Sequence, residues 1–254
     1  MKIAILYICT GKYDVFWKDF YLSSEKYFFK NEKKHYFVFT DSNDIYDSDK
    51  ENVEVIYQEN LSWPGNTLFR FKMFKRIEDK LKDYDYIFFL NGNALFLDFV
   101  DKEILPDDDR IIVVQHPGYF DKKREEFTYD TNPKSLAYIA PDEGVVYVCG
   151  GFNGGTASAY LEMINELNDN IEKDYEKNII ALWHDESHIN KYILNHKYKL
   201  LPASYMSFEE KEMPFKKIVV VRDKSKYGGH EFLRGEKVKL SKKIKKVIKK
   251  MIGR

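Results

Sequence analysis

The chain has 254 residues, 44% of them hydrophobic, with 41 Lys and Arg balanced by 41 Asp and Glu. That is enough for one compact domain with a sizeable core, or for two small lobes, and no apolar run approaches the roughly 18 residues of a membrane span. The neutral total hides an asymmetry: residues 237–254 hold eight lysines and Arg254 with no acid, which leaves −9 on residues 1–236 and argues against a nucleic-acid-binding surface on that body.

In chain order, short apolar runs alternate with segments of helical period. Strands are predicted near residues 2–9, 34–40, 53–58, 85–90, 110–115, 145–149 and 217–221, and helices near 14–30, 66–82, 156–174 and 185–196. This alternation predicts an α/β fold with a mostly parallel central sheet flanked by helices. Ligands of such sheets sit beyond the carboxyl ends of the strands, where Cys9-Thr10 and Asn91-Gly92-Asn93 fall. Cys9 and Cys149 each lie in an apolar run, which predicts buried free thiols rather than a disulfide. No signal peptide opens the chain, and a cytoplasmic protein is expected. Composition breaks at Gly235, dividing the sequence into residues 1–235 and a lysine-rich segment 236–254.

Four stretches invite chemistry. "NGN" (91–93) follows a buried run; Asn-Gly there fits a hairpin turn, and the spacing also matches a metal-binding Asp-x-Asp with both acids replaced by amides. "ALWHDESHINKYIL" (181–194) places His184 and His188 four apart, on one face if helical, as in zinc hydrolases, although Asp185 stands where those enzymes need Glu. A capped amphipathic helix explains the apolar residues of that stretch but not the crowding of Trp183, His184, Asp185 and Glu186 at its start. "VVYVCGGFNGG" (145–155) puts four glycines after a strand, for a tight turn or for close approach of backbone to a ligand. "QHPGYF" (115–120) sets His116 at a strand end before a proline turn.

Together "HYFVFTD" (35–41), "QHPGYF", "REEFTYDTNPKSLAYI" (124–139), "GGFNGGT" (150–156) and "WHDESHINKY" (183–192) resemble, in order and spacing, glycosyltransferase family 6, the family that makes the blood-group A and B antigens and the α-1,3-galactosyl epitope. The resemblance, over residues 2–222, implies a GT-A fold and a retaining transfer of GalNAc, or less favourably Gal, from a UDP-sugar. The implied acceptor is a galactoside, fucosylated and blood-group-H-like, on an oligosaccharide or glycolipid. It implies that Ile8, Cys9, Thr10 and Tyr13 hold the uridine and that Arg70 reaches the donor sugar and phosphates. His184 and Asp185 would contact the donor sugar, with Gly150 beside it, and Glu186 would be the catalytic carboxylate. Cys149 and Gly151 would face the sugar's second carbon, where small residues admit an N-acetyl group. His116, Thr128 and Trp183 would contact the acceptor. Animal members have an acid at the position of Phe208 here, followed by Glu209 and Glu210, so the acceptor contacts depart from the family pattern.

Asn91 and Asn93 fall where animal members carry Asp-x-Asp. Neutral carboxamides are poor ligands for hard cations, so no divalent metal or other cofactor is expected. The basic segment with Arg222, Lys224, Lys226 and Arg234 is expected to meet the diphosphate instead. A catalytically inactive sugar-nucleotide binder and a zinc hydrolase on His184 and His188 are the alternatives. In residues 237–254, Leu240, Ile244, Val247, Ile248, Met251 and Ile252 recur at helical spacing opposite lysines, which predicts a basic amphipathic helix for the surface of an anionic membrane at its inner face.

Overall fold

The computed structural model describes residues 1–107 and 110–235. A seven-stranded sheet is built from β1 (Lys2–Ile8), β2 (Lys33–Thr40), β3 (Val53–Tyr57), β4 (Tyr86–Leu90), β6 (Ile111–Gln115), β7 (Val148–Thr156) and β8 (Tyr198–Leu201). Their order is β3-β2-β1-β4-β7-β6-β8. All neighbours run parallel except β7, which is antiparallel to β4 and to β6. A small sheet of β5 (Ala94–Phe96), β9 (Ser207–Phe208) and β10 (Val219–Val221) joins the middle of the chain to its end.

The strands alternate between two cores, as the period of two requires. Ile3, Ile5 and Tyr7 face a cluster with Trp17 and Phe20 of α1 (Trp17–Tyr27) and with Phe28, Phe88 and Phe96. Ala4 and Leu6 face the other, built with α3 (Arg70–Lys75) and α5 (Ala157–Glu176) through Phe71, Phe74, Tyr160 and Ile164. Burial on both sides explains the near-continuous apolar runs of β1, β2 and β4. No helix among the described residues is long and apolar enough to cross a membrane.

Three expectations change. The helix expected over 66–82 is three short pieces, α2 (Ser62–Leu68), α3 and α4 (Glu78–Leu81). Pro64 holds Trp63 at ψ 133°, out of the helical region, and the break at Phe69 sets Arg70 at the start of α3. The turn at Asn91–Asn93 closes with the Ala94 amide donating to the Asn91 carbonyl at 2.8 Å. It is no hairpin, because β5 leaves the main sheet and pairs with β10. The glycines after residue 149 make no turn either: β7 continues through them to Thr156, with a bulge against β6 where Val113 pairs with Asn153 and Val114 with Cys149. There they are packing residues, since a Cβ on Gly154 would lie 2.3 Å from Phe88 Cδ1 and 2.5 Å from the Ile87 carbonyl oxygen. The predicted helix of residues 237–254 lies outside the described residues.

Gly154→Ala must therefore push β7 away from β4. Such overpacking costs about 1–3 kcal/mol, and the expected result is a lower midpoint in urea unfolding. An unchanged midpoint would show that the strands yield freely at this point.

Candidate active site

The reversed strand makes the site. Because β7 runs opposite to β4 and β6, its first residues, Val148 to Gly151, lie at the same edge of the sheet as the carboxyl ends of β1, β4 and β6. Ile8-Thr10, Asn91, Gln115-His116 and the glycines thus meet there. Helix α6 (Asp185–Tyr192) starts beside them.

A cavity of about 250 Å³ opens at this edge, and Ile8, Thr10, Tyr13, Arg70, Asn91, Asn93, Lys224 and Arg234 of the predicted donor set line it. Ser62, Trp63, Asn66 and Thr67 line it as well and were not anticipated; the last two open the segment expected to be helical. Cys9 does not line it. Its amide and carbonyl are spent on Phe39 and Thr40, and burial pushes its thiol up to about 12. Burial does the same to the thiol of Cys149.

The C-terminal segment is stitched to the rim at several points. Arg222 N donates to the Asn93 carbonyl at 2.9 Å, and Asn93 Nδ2 donates back to the Arg222 carbonyl at 2.8 Å. Lys12 N donates to the Leu233 carbonyl at 2.8 Å, and Asn60 Nδ2 to that of Arg234 at 3.0 Å. Short helix α7 (Gly229–Leu233) then carries Arg234 to Trp63, where the guanidinium lies 4.1 Å from the ring centroid. Burial and the charge of Arg234 lower the Lys224 ammonium to about 8. Lys226 instead pairs with Glu209 and Glu210 outside the cavity lining, and Arg222 pairs with Asp19. Two of the four expected cations, Lys224 and Arg234, thus face the cavity.

Behind the cavity wall three charges are packed together. Arg70 forms an ion pair with Asp185, both buried. Arg70 Nε and Asp185 Oδ1 have no hydrogen-bond partner in the described protein, so polar valences remain beside the cavity. Glu186 keeps part of its side chain open, while Oε2 accepts from Gly150 N at 2.8 Å and Oε1 from the Tyr147 hydroxyl at 3.0 Å. Burial, aided by the Asp185 charge, raises its carboxyl to about 7 against the pull of those donors; burial raises Asp185 to about 6 against the pull of Arg70. Gly150 fits this spot closely, since a Cβ there would stand 3.2 Å from both Arg70 Nη2 and Asp185 Oδ2.

His184 and His188 do not share a face. His184 precedes the helix at φ +56°, and its ring meets Trp63 edge-on at 4.6 Å. His188 is buried with Nε2 3.8 Å from Asp174. The zinc-hydrolase reading loses its two ligands.

On the other side of Glu186, Trp183 Nε1 donates to Thr128 Oγ1 at 2.9 Å, and the Tyr119 hydroxyl lies 2.9 Å from the same oxygen. His116 accepts from Gly118 N through Nδ1, and burial together with Lys211 pushes it down to about 4, so it is neutral at pH 7. Trp183 stays 45% exposed and offers a flat apolar face beside these polar groups. Tyr147 is the residue sequence reading missed: it sits in the apolar run "VVYVC" and looks like core, yet its hydroxyl orients Glu186.

A mostly parallel sheet flanked by helices, with a cavity at the carboxyl ends of its strands, is consistent with a GT-A-like glycosyltransferase fold. The chain belongs to glycosyltransferase family 6, whose sequence profile matches residues 1–235. It is 38% identical over 227 residues to "O-antigen biosynthesis glycosyltransferase WbnI" of Escherichia coli, covering 89% of this chain and 96% of that one. It is 32% identical to "Histo-blood group ABO system transferase 1" of Rattus norvegicus over 80% of this chain, and 29% identical to "Globoside alpha-1,3-N-acetylgalactosaminyltransferase 1" of Gallus gallus over 84%. The chain spans 60% and 64% of those two animal proteins. Family membership implies a nucleotide-sugar donor and a glycan acceptor.

The raised Glu186 carboxyl has a consequence for stability. A buried acid that holds its proton more tightly when folded loses stability as pH rises from its ordinary value to its folded one, here from 4.5 to about 7. Glu186→Gln removes that loss. The variant is expected to match the parent near pH 4 and to exceed it by about 1–3 kcal/mol above pH 7, read as paired thermal melts across pH. A gain that is the same at every pH would contradict the raised titration.

Proposed function

We propose that this chain is a retaining α-1,3-glycosyltransferase that moves GalNAc from UDP-GalNAc to a galactoside, fucosylated or glycolipid-borne, without a divalent metal. The observation that carries the reading is the Glu186 carboxylate, held by Gly150 and Tyr147 between the Arg70–Asp185 pair and the Trp183–Thr128 face. In that position it serves the anomeric carbon of a sugar whose nucleotide fills the cavity. Glycosyl transfer breaks the bond from the anomeric carbon to the diphosphate oxygen, the electron pair leaving with UDP, while the acceptor hydroxyl attacks and gives up its proton. Retention fits an ionised Glu186 either as nucleophile or as the charge that stabilises an oxocarbenium ion during attack from the same face. Arg70 Nε and Asp185 Oδ1 supply a donor and an acceptor for sugar hydroxyls or phosphate oxygens.

The donor set at Asn91 and Asn93 does not fit a hard cation. Both are uncharged, and the amide of Asn93 is engaged on the Arg222 carbonyl. Lys224 and Arg234, fixed on the cavity wall, are the cations that would meet the departing diphosphate. Preference for GalNAc over Gal is supported by the activity named for the globoside relatives and by the small side chains at 149 and 151. The space before Gly151 is not empty, however: a Cβ there would lie 2.7 Å from Asn91 Nδ2 and 2.7 Å from Met206 Cε.

Release of UDP from UDP-GalNAc and UDP-Gal, measured in excess EDTA with lactose and a fucosylated galactoside, tests the reading. Turnover is expected to persist, to favour UDP-GalNAc, and to fall at least about 100-fold in Glu186→Gln with UDP affinity nearly kept. Activity lost to EDTA and restored by Mn²⁺ would sink the metal-free reading, and a several-fold preference for UDP-Gal the choice of donor.

The proposal extends to residues 237–254, whose eight lysines, interspersed with apolar residues at helical spacing in the sequence, suit the surface of an anionic membrane, a place where a cytoplasmic enzyme would meet a glycolipid acceptor. Full-length protein is expected to sediment with anionic vesicles and to be released by salt, whereas a chain ending at Gly235 stays in solution. Equal sedimentation of the two would assign the tail another role.

A further inference from the structure

Strand β7 loses one neighbour just where the chemistry lies. The β4 ladder ends at Leu90, opposite Phe152, with one further bond from the Asn91 amide to the Gly151 carbonyl at 2.8 Å. On its other edge β6 continues to Gln115, opposite Val148, and the His116 amide donates to the Tyr147 carbonyl at 2.9 Å. Successive residues of a strand present their backbone groups to opposite edges. Tyr147 therefore bonds toward β6, while Val148 and Gly150 turn theirs to the edge that β4 has left.

Helix α6 takes that edge with two side chains. Asn190 Oδ1 accepts from Val148 N at 3.0 Å, and Asn190 Nδ2 donates to the Val148 carbonyl at 2.9 Å. This is the pair of bonds a neighbouring strand residue would have made. The same Nδ2 donates to the Glu186 carbonyl, also at 2.9 Å. One turn earlier on α6, the Glu186 carboxylate takes the Gly150 amide. The spacings match, because four helical residues rise about 6 Å and two strand residues about 6.7 Å. Asn190 is 1% exposed and makes no contact that a substrate could share.

We propose that Asn190 is a positioning residue: its carboxamide acts as a surrogate strand partner for Val148 and thereby sets the first turn of α6 so that Glu186 engages Gly150. The inference rests on the reading of Glu186 as the catalytic carboxylate. Only a carboxamide supplies the acceptor for Val148 N–H and the donors for two carbonyls together. Aspartate keeps the acceptor and loses the donors; alanine loses both and leaves the Val148 groups buried and unpaired. In either case α6 is free to shift against β7 by a fraction of an ångström. Reaction geometry is sensitive to displacements of that order, so the effect falls on turnover. The residues lining the nucleotide cavity sit on other elements, so UDP binding is spared.

The groups facing Glu186 are Asp185, Arg70, Cys149, the Tyr147 hydroxyl and the Gly150 amide. Of these, Asn190 governs the registration of Gly150. Loss of that donor lets Glu186 keep its proton to higher pH, by about one unit. A merely structural role for Asn190 would lower the melting temperature and leave this titration alone.

The test compares full-length wild type with Asn190→Ala, Asn190→Asp, Glu186→Gln and Tyr36→Phe. Tyr36→Phe cuts the buried bond from the Tyr36 hydroxyl of β2 to Ser24 of α1 and controls for lost stability. Turnover of UDP-GalNAc, UDP binding by calorimetry and the Glu186 carboxyl titration by NMR are read for each. Both Asn190 variants are expected to lose about 10- to 100-fold in kcat with UDP affinity within about two-fold, and to raise the Glu186 titration, whereas Tyr36→Phe changes only the melt. If Glu186→Gln abolishes turnover while the Asn190 variants keep both kcat and titration, the positioning role is overturned and the function stands. If Glu186→Gln turns over like wild type, the catalytic reading of Glu186 fails and the inference fails with it. Should Asn190→Ala melt below the assay temperature, Asn190→Asp decides alone.

Discussion

The reversal of β7 within an otherwise parallel sheet is the constraint on which the rest of the site depends. In an all-parallel sheet the amino end of that strand would lie at the opposite edge, far from the carboxyl ends of β1 and β4. Running backwards, β7 delivers the Gly150 amide and the Tyr147 hydroxyl to the edge where Ile8, Thr10 and Asn91 end. The strand must also be thin. Gly154 leaves room for the ring of Phe88, Gly151 for Asn91 and Met206, and Gly150 for the Arg70–Asp185 pair. One run of glycines thus serves sheet packing at its far end and the chemistry at its near end.

The electrostatics follow from that geometry. Two adjacent carboxyls, Asp185 and Glu186, share one buried cation, Arg70. Burial raises both carboxyls above their ordinary range against the pull of Arg70, and the Asp185 charge adds to the rise at Glu186. On the reading of Glu186 proposed here, a carboxylate held at that cost is well matched to a carbon that becomes positive. Across the cavity the imbalance has the opposite sign. Burial, together with the charge of Arg234, lowers the Lys224 ammonium to about 8. On the donor reading proposed here, a diphosphate would relieve both cations and the sugar would meet the carboxylates.

Much of this was legible in the sequence. Short, near-continuous apolar runs marked β1, β2, β3, β4, β6 and the start of β7, though not β8, and the crowded start of "WHDESHINKY" marked α6 as more than an amphipathic helix. Other features were hidden for identifiable reasons. Glycines read as turn formers, and nothing local says that a strand needs them for the sake of its neighbours. Tyr147 and Asn190 are polar groups inside apolar or helical periodicity, where their work depends on partners 39 and 42 residues away. The four cations of "VRDKSKYGGHEFLRG" look alike in sequence. Only tertiary partners divide them, because Asp19 takes Arg222 and the two glutamates take Lys226.

Asn93 shows why replacing an acid by an amide need not be a simple loss. Its Nδ2 donates to the carbonyl of Arg222 while its own carbonyl accepts from the Arg222 amide, a reciprocal clasp that fastens the end of β10 to the turn after β4. An aspartate at that position has no hydrogen to donate and would face the Arg222 carbonyl with like partial charge, so the clasp would open on one side. The segment just beyond the clasp carries Lys224 and, through α7, Arg234 to the cavity wall. On the metal-free reading proposed here, the carboxamide that cannot hold a divalent ion is the same group that anchors the arm of fixed cations. Loss of a metal ligand and gain of an anchored basic arm are then one change in chemistry at one side chain.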